Sequence, residues 1–351
     1  MTQKKVLVAV SGGVDSSAAV YLLKQAGYSV TAIMLRLFDK TDENGTLITT
    51  EVDSARKLCE ALEVEFVYPD YRENFKQDVI ENFVKSYMEG KTPNPCVQCN
   101  RTVKFRYVFD YAEKNGFDYI ATGHYARVEK DADGSYMLLK GSDPKKDQSY
   151  VLYNLTASQL SKLLLPLGTL SKPQVREIAK QAGLKNYDKA DSQDICFING
   201  DYYEFIKGYT SKTFPEGNFV DKNGNVLGKH KGIICYTVGQ RKGLGLSFDS
   251  PRYVVSKNAD DNTVTLGKED ELFADTVFAE NVNLITEQEV NKPISCEAMI
   301  RYNQKPQSAT VTLLSDGRLK AVFDTPQRAP SPGQSLVIYQ GEKVLGGGII
   351  Q

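Results

Sequence analysis

The first half of the chain alternates short apolar runs with longer amphipathic stretches, the rhythm that βαβ units impose on a sequence. Val6–Val10, Ser29–Leu35, Val64–Tyr68 and Tyr119–Thr122 are short and almost continuously apolar, which predicts strands of a parallel sheet buried on both faces. Between them, Ser16–Ala26, Glu51–Ala61, Asn74–Met88 and Thr102–Lys114 carry helical spacing. Ser171-Lys172-Pro173-Gln174 reads as a capping box with proline just inside a helix, and Gly183 ends that helix. In such an open sheet a ligand lies beyond the carboxyl ends of the strands.

After about Tyr203 the pattern changes to short β-rich runs separated by turns such as Asp221-Lys222-Asn223-Gly224 and Asp260-Asp261-Asn262. The predicted strands are Gly232–Val238, Tyr253–Ser256, Thr263–Leu266, Cys296–Ile300, Ser308–Leu314, Lys320–Phe323 and Ser335–Tyr339. The expected fold class is therefore α/β, a parallel-sheet domain over 1–204 followed by two small β-rich domains, 205–276 and a final β-barrel over 277–351. No solenoid-type repeat and no low-complexity tract interrupts this plan.

One turn carries chemistry. Ser11-Gly12-Gly13-Val14-Asp15-Ser16-Ser17 joins the first apolar run to the first helical stretch. A glycine-rich turn that opens a helix is an anion site, because unpartnered N–H groups and the positive end of the helix dipole converge there. Gly12 and Gly13 let backbone amides approach a phosphate, and Ser11, Ser16 and Ser17 add hydroxyl donors. The lysine of a Walker A loop is missing. The run SGGVDS instead resembles the PP-loop of the ATP pyrophosphatases, which split ATP between its α- and β-phosphates and adenylate an oxygen of a substrate.

Composition narrows the class. The chain has 351 residues, 41% of them hydrophobic, enough to fill the cores of two or three domains. Met1 to Lys5 ahead of Val6–Val10 mimics a charged signal start, but the apolar run is too short and leads straight into the phosphate loop. No apolar stretch is long enough to span a bilayer, and six scattered cysteines do not make a disulfide framework, so no membrane partner and a cytoplasmic location are expected. A net charge of −1 argues against general nucleic-acid avidity; any RNA binding rests on local basic groups such as Lys229-His230-Lys231 and Gln240-Arg241-Lys242.

Two cysteine-bearing segments sharpen the picture. Thr92-Pro93-Asn94-Pro95-Cys96-Val97-Gln98-Cys99-Asn100 reads as a proline-stiffened loop, and Asp191-Ser192-Gln193-Asp194-Ile195-Cys196-Phe197 as a second polar segment. A thiolate can relay sulfur as a persulfide, and two neighbouring thiols resolve that intermediate through a disulfide. Together with SGGVDS, Ala121-Thr122-Gly123-His124-Tyr125-Ala126-Arg127, Lys146-Asp147-Gln148-Ser149-Tyr150 and Tyr236 to Gly245, these segments closely resemble the tRNA-specific 2-thiouridylase family along the whole chain.

The resemblance implies that ATP, with Mg2+, adenylates the C2 oxygen of the wobble uridine, and that a cysteine persulfide then delivers sulfur and expels AMP. It implies tRNA as substrate and a sulfur donor such as a cysteine desulfurase or sulfur-relay protein. By motif, Ala9, Val10, Ser11, Gly12, Gly13, Val14, Asp15 and Ser16 hold the phosphates, while Leu35 and Gly123 frame the adenosine. Cys99 matches the family's nucleophile and resolving cysteine, and Cys196 its persulfide carrier. Asn94, Pro95 and Cys96 occupy the stretch that faces the target base; His124, Lys146, Asp147, Gln148, Arg301, Tyr302 and Gln334 fall where the family touches tRNA.

Cys96 stands where some members carry an aspartate able to act as general base, which leaves the acid/base assignment open. It also creates Cys96-x-x-Cys99, and three thiols with Cys196 are a conceivable [4Fe–4S] ligand set, an alternative to the relay. Zinc is disfavoured, since only His124 and His230 are available beside the cysteines and no second CxxC exists. A PP-loop ligase acting on a small molecule would need neither Cys99 nor Cys196, and a nucleotide sensor or RNA-binding scaffold would not turn over. Cys59, Cys235 and Cys296 read as small buried hydrophobes in a helix and two strands. Lys145-Lys146 and the series Lys172, Arg176, Lys180, Lys185 read as solvated faces, the latter also as a candidate phosphate-tracking face.

Overall fold

The computed structural model describes residues 3–41, 44–184, 186–188, 195–198, 200–285 and 292–351. The first strand, β1 (Lys5–Ala9), buries Val6, Leu7 and Val8 completely. It turns through the glycines into α1 (Val14–Gln25), which returns to β2 (Ser29–Ile33). α2 (Thr50–Ala61) leads to β3 (Glu65–Val67). A helical arm follows, in which α3 (Arg72–Phe75) runs through π-helical Lys76–Glu81 into α4 (Asn82–Met88). A second continuous helix comprises α5 (Pro95–Cys99), π-helical Asn100–Lys104 and α6 (Phe105–Lys114), and it delivers the chain to β4 (Tyr119–Thr122). A hairpin of β5 (Ala126–Lys130) and β6 (Tyr136–Lys140) intervenes before α7 (Ala157–Ser161), β7 (Leu163–Leu164) and α8 (Lys172–Gln181).

The sheet is parallel, as the alternating pattern predicts, with the order β3-β2-β1-β4-β7, and β7 is a strand the pattern does not predict. The order reverses at β1, so β2 and β4 flank it and a crevice opens at their carboxyl ends. α8 begins with the predicted capping box, in which Ser171 and Gln174 satisfy each other's backbone groups, and Gly183 follows it with φ +70°.

The β-rich half contains one helix that the pattern does not predict. α9 (Tyr202–Thr210) is capped by Asp201, whose carboxylate accepts from the N–H groups of Tyr203 and Glu204. With α4 it packs onto a sheet of order β10-β11-β8-β9, built from β8 (Gly217–Val220), β9 (Val226–His230), β10 (Tyr253–Asn258) and β11 (Thr263–Gly267). The expected strand Gly232–Val238 is absent. Gly232, at φ +117°, opens a single 3-10 turn over Ile233–Cys235, and Ile233 and Ile234 are buried from that turn without ladder partners. Cys235 therefore sits in the turn.

The last unit is a closed antiparallel barrel of β12 (Phe273–Leu284), β13 (Ile294–Met299), β14 (Gln307–Leu313), β15 (Leu319–Arg328), β16 (Ser335–Gln340) and β17 (Lys343–Ile350). Pairing of β12 with both β15 and β17 closes it, and β17 extends the sheet to β6 through Lys343 and Leu139. β16 shows how the barrel joins the first unit. Leu336 and Ile338 point into the barrel core, whereas Val337 and Tyr339 enter the core that holds Leu7, Ile33 and Phe105. Period-two alternation thus feeds two cores from one strand, which is why it reads as a continuous apolar run. Among the described residues no helix is long and apolar enough to cross a membrane.

Candidate active site

The turn after β1 is held by its own side chains. The Ser11 N–H donates to Ser16 Oγ at 3.1 Å, and the Ser16 and Ser17 hydroxyls donate to the Gly13 carbonyl at 3.1 and 2.9 Å. Gly13 is the N-cap of α1, so the amides of Val14, Asp15 and Ser16 have no acceptor within the helix. Two glycines are obligatory here. Gly12 has φ +72° and a Cβ on it would lie 2.5 Å from the Glu51 carbonyl oxygen; a Cβ on Gly123 would lie 2.8 Å from the Asp15 carbonyl carbon and the Ser16 nitrogen. The loop after β4 is therefore pressed directly against the first turn of α1.

The crevice is a cavity of about 1670 Å³, lined by Ala9, Val10, Ser11 and Gly13 to Ser16 on one side and by Leu35, Gly123 and His124 nearby. Lys146, Asp147, Gln148, Tyr302 and Cys196 share its wall. Space, glycine-limited backbone and first-turn amides fit a nucleotide with its phosphates at α1. Asp15, the loop's carboxylate, is already engaged: Lys172 Nζ lies 2.8 Å from each of its oxygens and the Tyr125 hydroxyl donates to Oδ1 at 2.7 Å. Sequence reasoning missed Lys172, reading it as part of a solvated series. In α8, Lys172 is buried, Arg176 is half-buried and Lys180 is exposed, so the three do not form one phosphate-tracking face. Lys185 lies outside the described residues.

The thiols are carried differently. The segment Thr92–Asn100, expected as a loop, contains the start of a helix: Asn94 Oδ1 accepts from the N–H groups of Cys96 (3.1 Å) and Val97 (3.3 Å), and Pro95 takes the first helical position. Asn94 and Pro95 thus have structural duties, and Pro95 is buried. Cys96 is exposed and Cys99 is 5% exposed. Burial pushes the Cys99 thiol up to about 12, against the opposing pull of the Lys104 ammonium. Cys196 is also raised by burial and pulled back by Lys104. Burial acts downward on Lys104, yet the neighbouring Cys99, Cys96 and Cys196 carry it above its usual value. Lys104 and Cys196 are both exposed to solvent on the cavity wall, so water there screens these shifts.

The three thiols therefore converge electrostatically on one lysine, placed by the π-helical turn that separates Cys99 from α6. All six cysteines are free, so the structure holds no disulfide between Cys99 and Cys196. Among the described residues no group of three His, Cys, Asp or Glu side chains is disposed to hold a metal ion. Asp191 to Asp194, read as part of the second cysteine segment, lie outside the described residues.

His124 follows β4 with Nδ1 2.7 Å from Thr122 Oγ1, its ring stacked on Phe105 at 5.9 Å. Burial, helped by the Lys104 charge, lowers it to about 3, so it is neutral at physiological pH. Asp147 accepts from the Gly141 and Ser149 N–H groups and from the Ser149 hydroxyl, and Gln148 Oε1 accepts from the Tyr125 N–H. Both therefore shape the wall. Tyr302 donates to the Asp147 carbonyl at 3.3 Å. Arg301 and Gln334 stand off the cavity wall: Arg301 Nη2 donates to the Ala329 carbonyl and Ser331 Oγ, and Gln334 Nε2 to the Thr92 carbonyl.

Residues 4–200 match the model of the tRNA methyl transferase HUP domain, 203–268 the tRNA methyl transferase PRC-barrel domain and 274–350 the aminomethyltransferase beta-barrel domain. A tRNA-specific 2-thiouridylase MnmA of Clostridium botulinum (strain Alaska E43 / Type E3) is 47% identical, covering 100% of this chain and 99% of its own. This chain belongs to the tRNA-specific 2-thiouridylase family. The MnmA proteins of Clostridioides difficile (strain 630), 46% identical over 99% of this chain and 98% of its own, and of Acetivibrio thermocellus, 45% identical over 100% of both, bear the same name. Domain descriptions speak of methyl transfer and the relatives' names of thiolation; identity along the full length decides for the family of the relatives. The parallel-sheet unit, the middle sheet and the closed barrel are that family's three matched parts in order.

Proposed function

We propose that this enzyme is a tRNA sulfurtransferase that converts the wobble uridine to 2-thiouridine in an ATP-dependent reaction. The observation that carries this reading is the single cavity onto which both the phosphate loop and Cys196 open. ATP supplies an adenylyl group that makes the uridine C2 oxygen a leaving group, with loss of pyrophosphate. The amides of Val14 to Ser16 and the serine-braced turn hold the phosphates, and Leu35 and Gly123 flank the adenosine. Mg2+ would accompany the phosphates, while the Asp15 carboxylate is engaged by Lys172 of α8 and by Tyr125.

Cys196 then presents a persulfide, received from a desulfurase or relay protein, to the activated carbon. Its outer sulfur bonds to C2 as the C2–O bond breaks and AMP leaves; the Cys99 thiolate attacks Cys196 Sγ, the S–S bond of the persulfide breaks, and its electrons stay with the sulfur on C2. The resulting Cys99–Cys196 disulfide is returned to two thiols by an external thiol reductant. Lys104 supports the anionic sulfur at each stage, since its ammonium pulls down the pKa of both thiols. His124, neutral and hydrogen-bonded through Thr122, and the Lys146 ammonium line the entrance for the base and its backbone.

The test is the nucleoside profile of tRNA from cells lacking the protein: loss of 2-thiouridine derivatives is the expected result, and an unchanged profile refutes the reading. Among the described residues Cys96, Cys99 and Cys196 form no group disposed to hold a metal ion, and the relay runs on thiols alone. Iron-free Cys96→Ser enzyme supplied with a desulfurase and cysteine should still form 2-thiouridine; absence of product beside iron-dependent wild-type activity overturns the relay.

A further inference from the structure

The phosphate loop lacks a lysine of its own, yet a lysine reaches it from 157 residues downstream. Lys172 opens α8 with only 9% of its side chain exposed, and its ammonium lies 2.8 Å from both carboxylate oxygens of Asp15. The same ammonium stands 6.0 Å from the centre of the Tyr125 ring, whose hydroxyl donates to Asp15. α8 is pinned at that point: the Lys172 N–H donates to Asp143 Oδ2 at 3.1 Å, and the Ser171–Gln174 box closes the turn.

Asp15 is the second residue of α1. A carboxylate there takes up the same positive helix end on which phosphates dock, so an unpaired Asp15 would repel an anionic ligand. Paired with Lys172, its charge is cancelled and its side chain is held toward α8. We infer that Lys172 is a positioning residue of the nucleotide site: by neutralising and anchoring Asp15 it leaves the amides of α1 open to a polyphosphate. This rests on the reading of the loop as the ATP site. It differs from the Walker arrangement, where the lysine itself meets the phosphates.

The test is calorimetric binding to the full-length enzyme without tRNA, using MgATP and adenosine as probes. Lys172→Met should weaken MgATP by about tenfold or more and adenosine by less than about twofold, because repulsion scales with ligand charge. Exposed Lys180→Met on the same helix should match the wild type. In an Asp15→Asn background Lys172 has no charge left to cancel, so Asp15→Asn/Lys172→Met should bind MgATP within about twofold of Asp15→Asn alone. That pair decides the matter if Lys172→Met alone does not fold. Unchanged MgATP affinity in Lys172→Met, equal loss of ATP and adenosine, or a further tenfold loss in the double variant overturns the inference. Wild-type enzyme that binds no MgATP instead refutes the reading of the loop.

Discussion

The phosphate side and the thiol side of this cavity are built from different materials. On the phosphate side nearly everything is backbone: amides at the start of α1, a turn braced by hydroxyls on the Gly13 carbonyl, and Gly123 packed to within a Cβ's reach of Asp15. On the thiol side the chemistry is carried by side chains on separate segments, Cys96 and Cys99 on a helix and Cys196 in a turn, joined by no bond and gathered around Lys104. A backbone site is specified once and tolerates no added atom. A side-chain site tolerates change in shape but depends on charge, because desolvation raises the pKa of Cys99 and Cys196 and the Lys104 ammonium pulls both back down.

The two sides should therefore fail separately. The largest effect is expected at the thiols: Cys99→Ser and Cys196→Ser should each lower 2-thiouridine formation by more than about 10³-fold while tRNA-dependent pyrophosphate release persists. Mass spectrometry of the nucleosides beside a pyrophosphate assay reads both halves, and loss of pyrophosphate release in either variant would break the separation. The converse is Gly123→Ala, where a new Cβ 2.8 Å from the Asp15 carbon forces the loop to move. Pyrophosphate release should fall on the order of 10²-fold, the cost of an ångström-scale misplacement, with alkylation of Cys96 unchanged.

His124 lies between the two sides and sharpens the contrast through pH. Its folded pKa of about 3 is below the unfolded value, so as pH falls the unfolded chain takes the proton first. Its contribution to stability is complete above pH 6.5 and is lost as pH falls from there toward 3, with a slope of at most about 1.4 kcal/mol per pH unit. Urea melts between pH 7 and pH 5 should show His124→Asn with a flatter dependence than wild type; parallel curves would mean that water reaches the ring and the burial is ineffective. The smallest effect lies away from the cavity. Arg241 and Lys242 are exposed, and replacing both by alanine should reduce the slope of log tRNA affinity against log salt by about two if both meet phosphates. An unchanged slope returns them to ordinary solvated surface.

The phosphate side was legible because its information is local: strand, glycines, serines and helix are contiguous, and a turn of that kind admits one geometry. The same holds for the capping box at Ser171 and for the parallel strands, whose apolar runs lie within two residues of the observed elements. Lys172 was misread because nothing around position 172 announces a partner at position 15. Helical spacing with Arg176 and Lys180 looks identical whether the first lysine faces water or a carboxylate. The helix start at Asn94-Pro95 did carry a signal, an N-cap residue followed by proline, which two prolines in four residues disguised as a loop. Gly232–Val238 was apolar enough for a strand, but a glycine at φ +117° and two adjacent isoleucines buried together break the alternation a half-buried strand requires. The β5–β6 hairpin escaped notice because it pairs with β17, some two hundred residues away.

That distant pairing has a consequence for synthesis. Val337, Tyr339 and Val344 fill the core around Leu7 and Ile33, and Gln334 grips Thr92 just ahead of the thiol helix. A nascent chain that has emerged as far as α8 possesses every strand of its parallel sheet, yet the apolar surface that β16 and β17 will cover is still open to water. Domain-by-domain folding on the ribosome, the ordinary course for multidomain chains, is therefore incomplete here until the final strands leave the exit tunnel. Translation that stalls in the barrel leaves a phosphate loop on an unfinished core, a species for chaperones and proteases rather than a smaller enzyme.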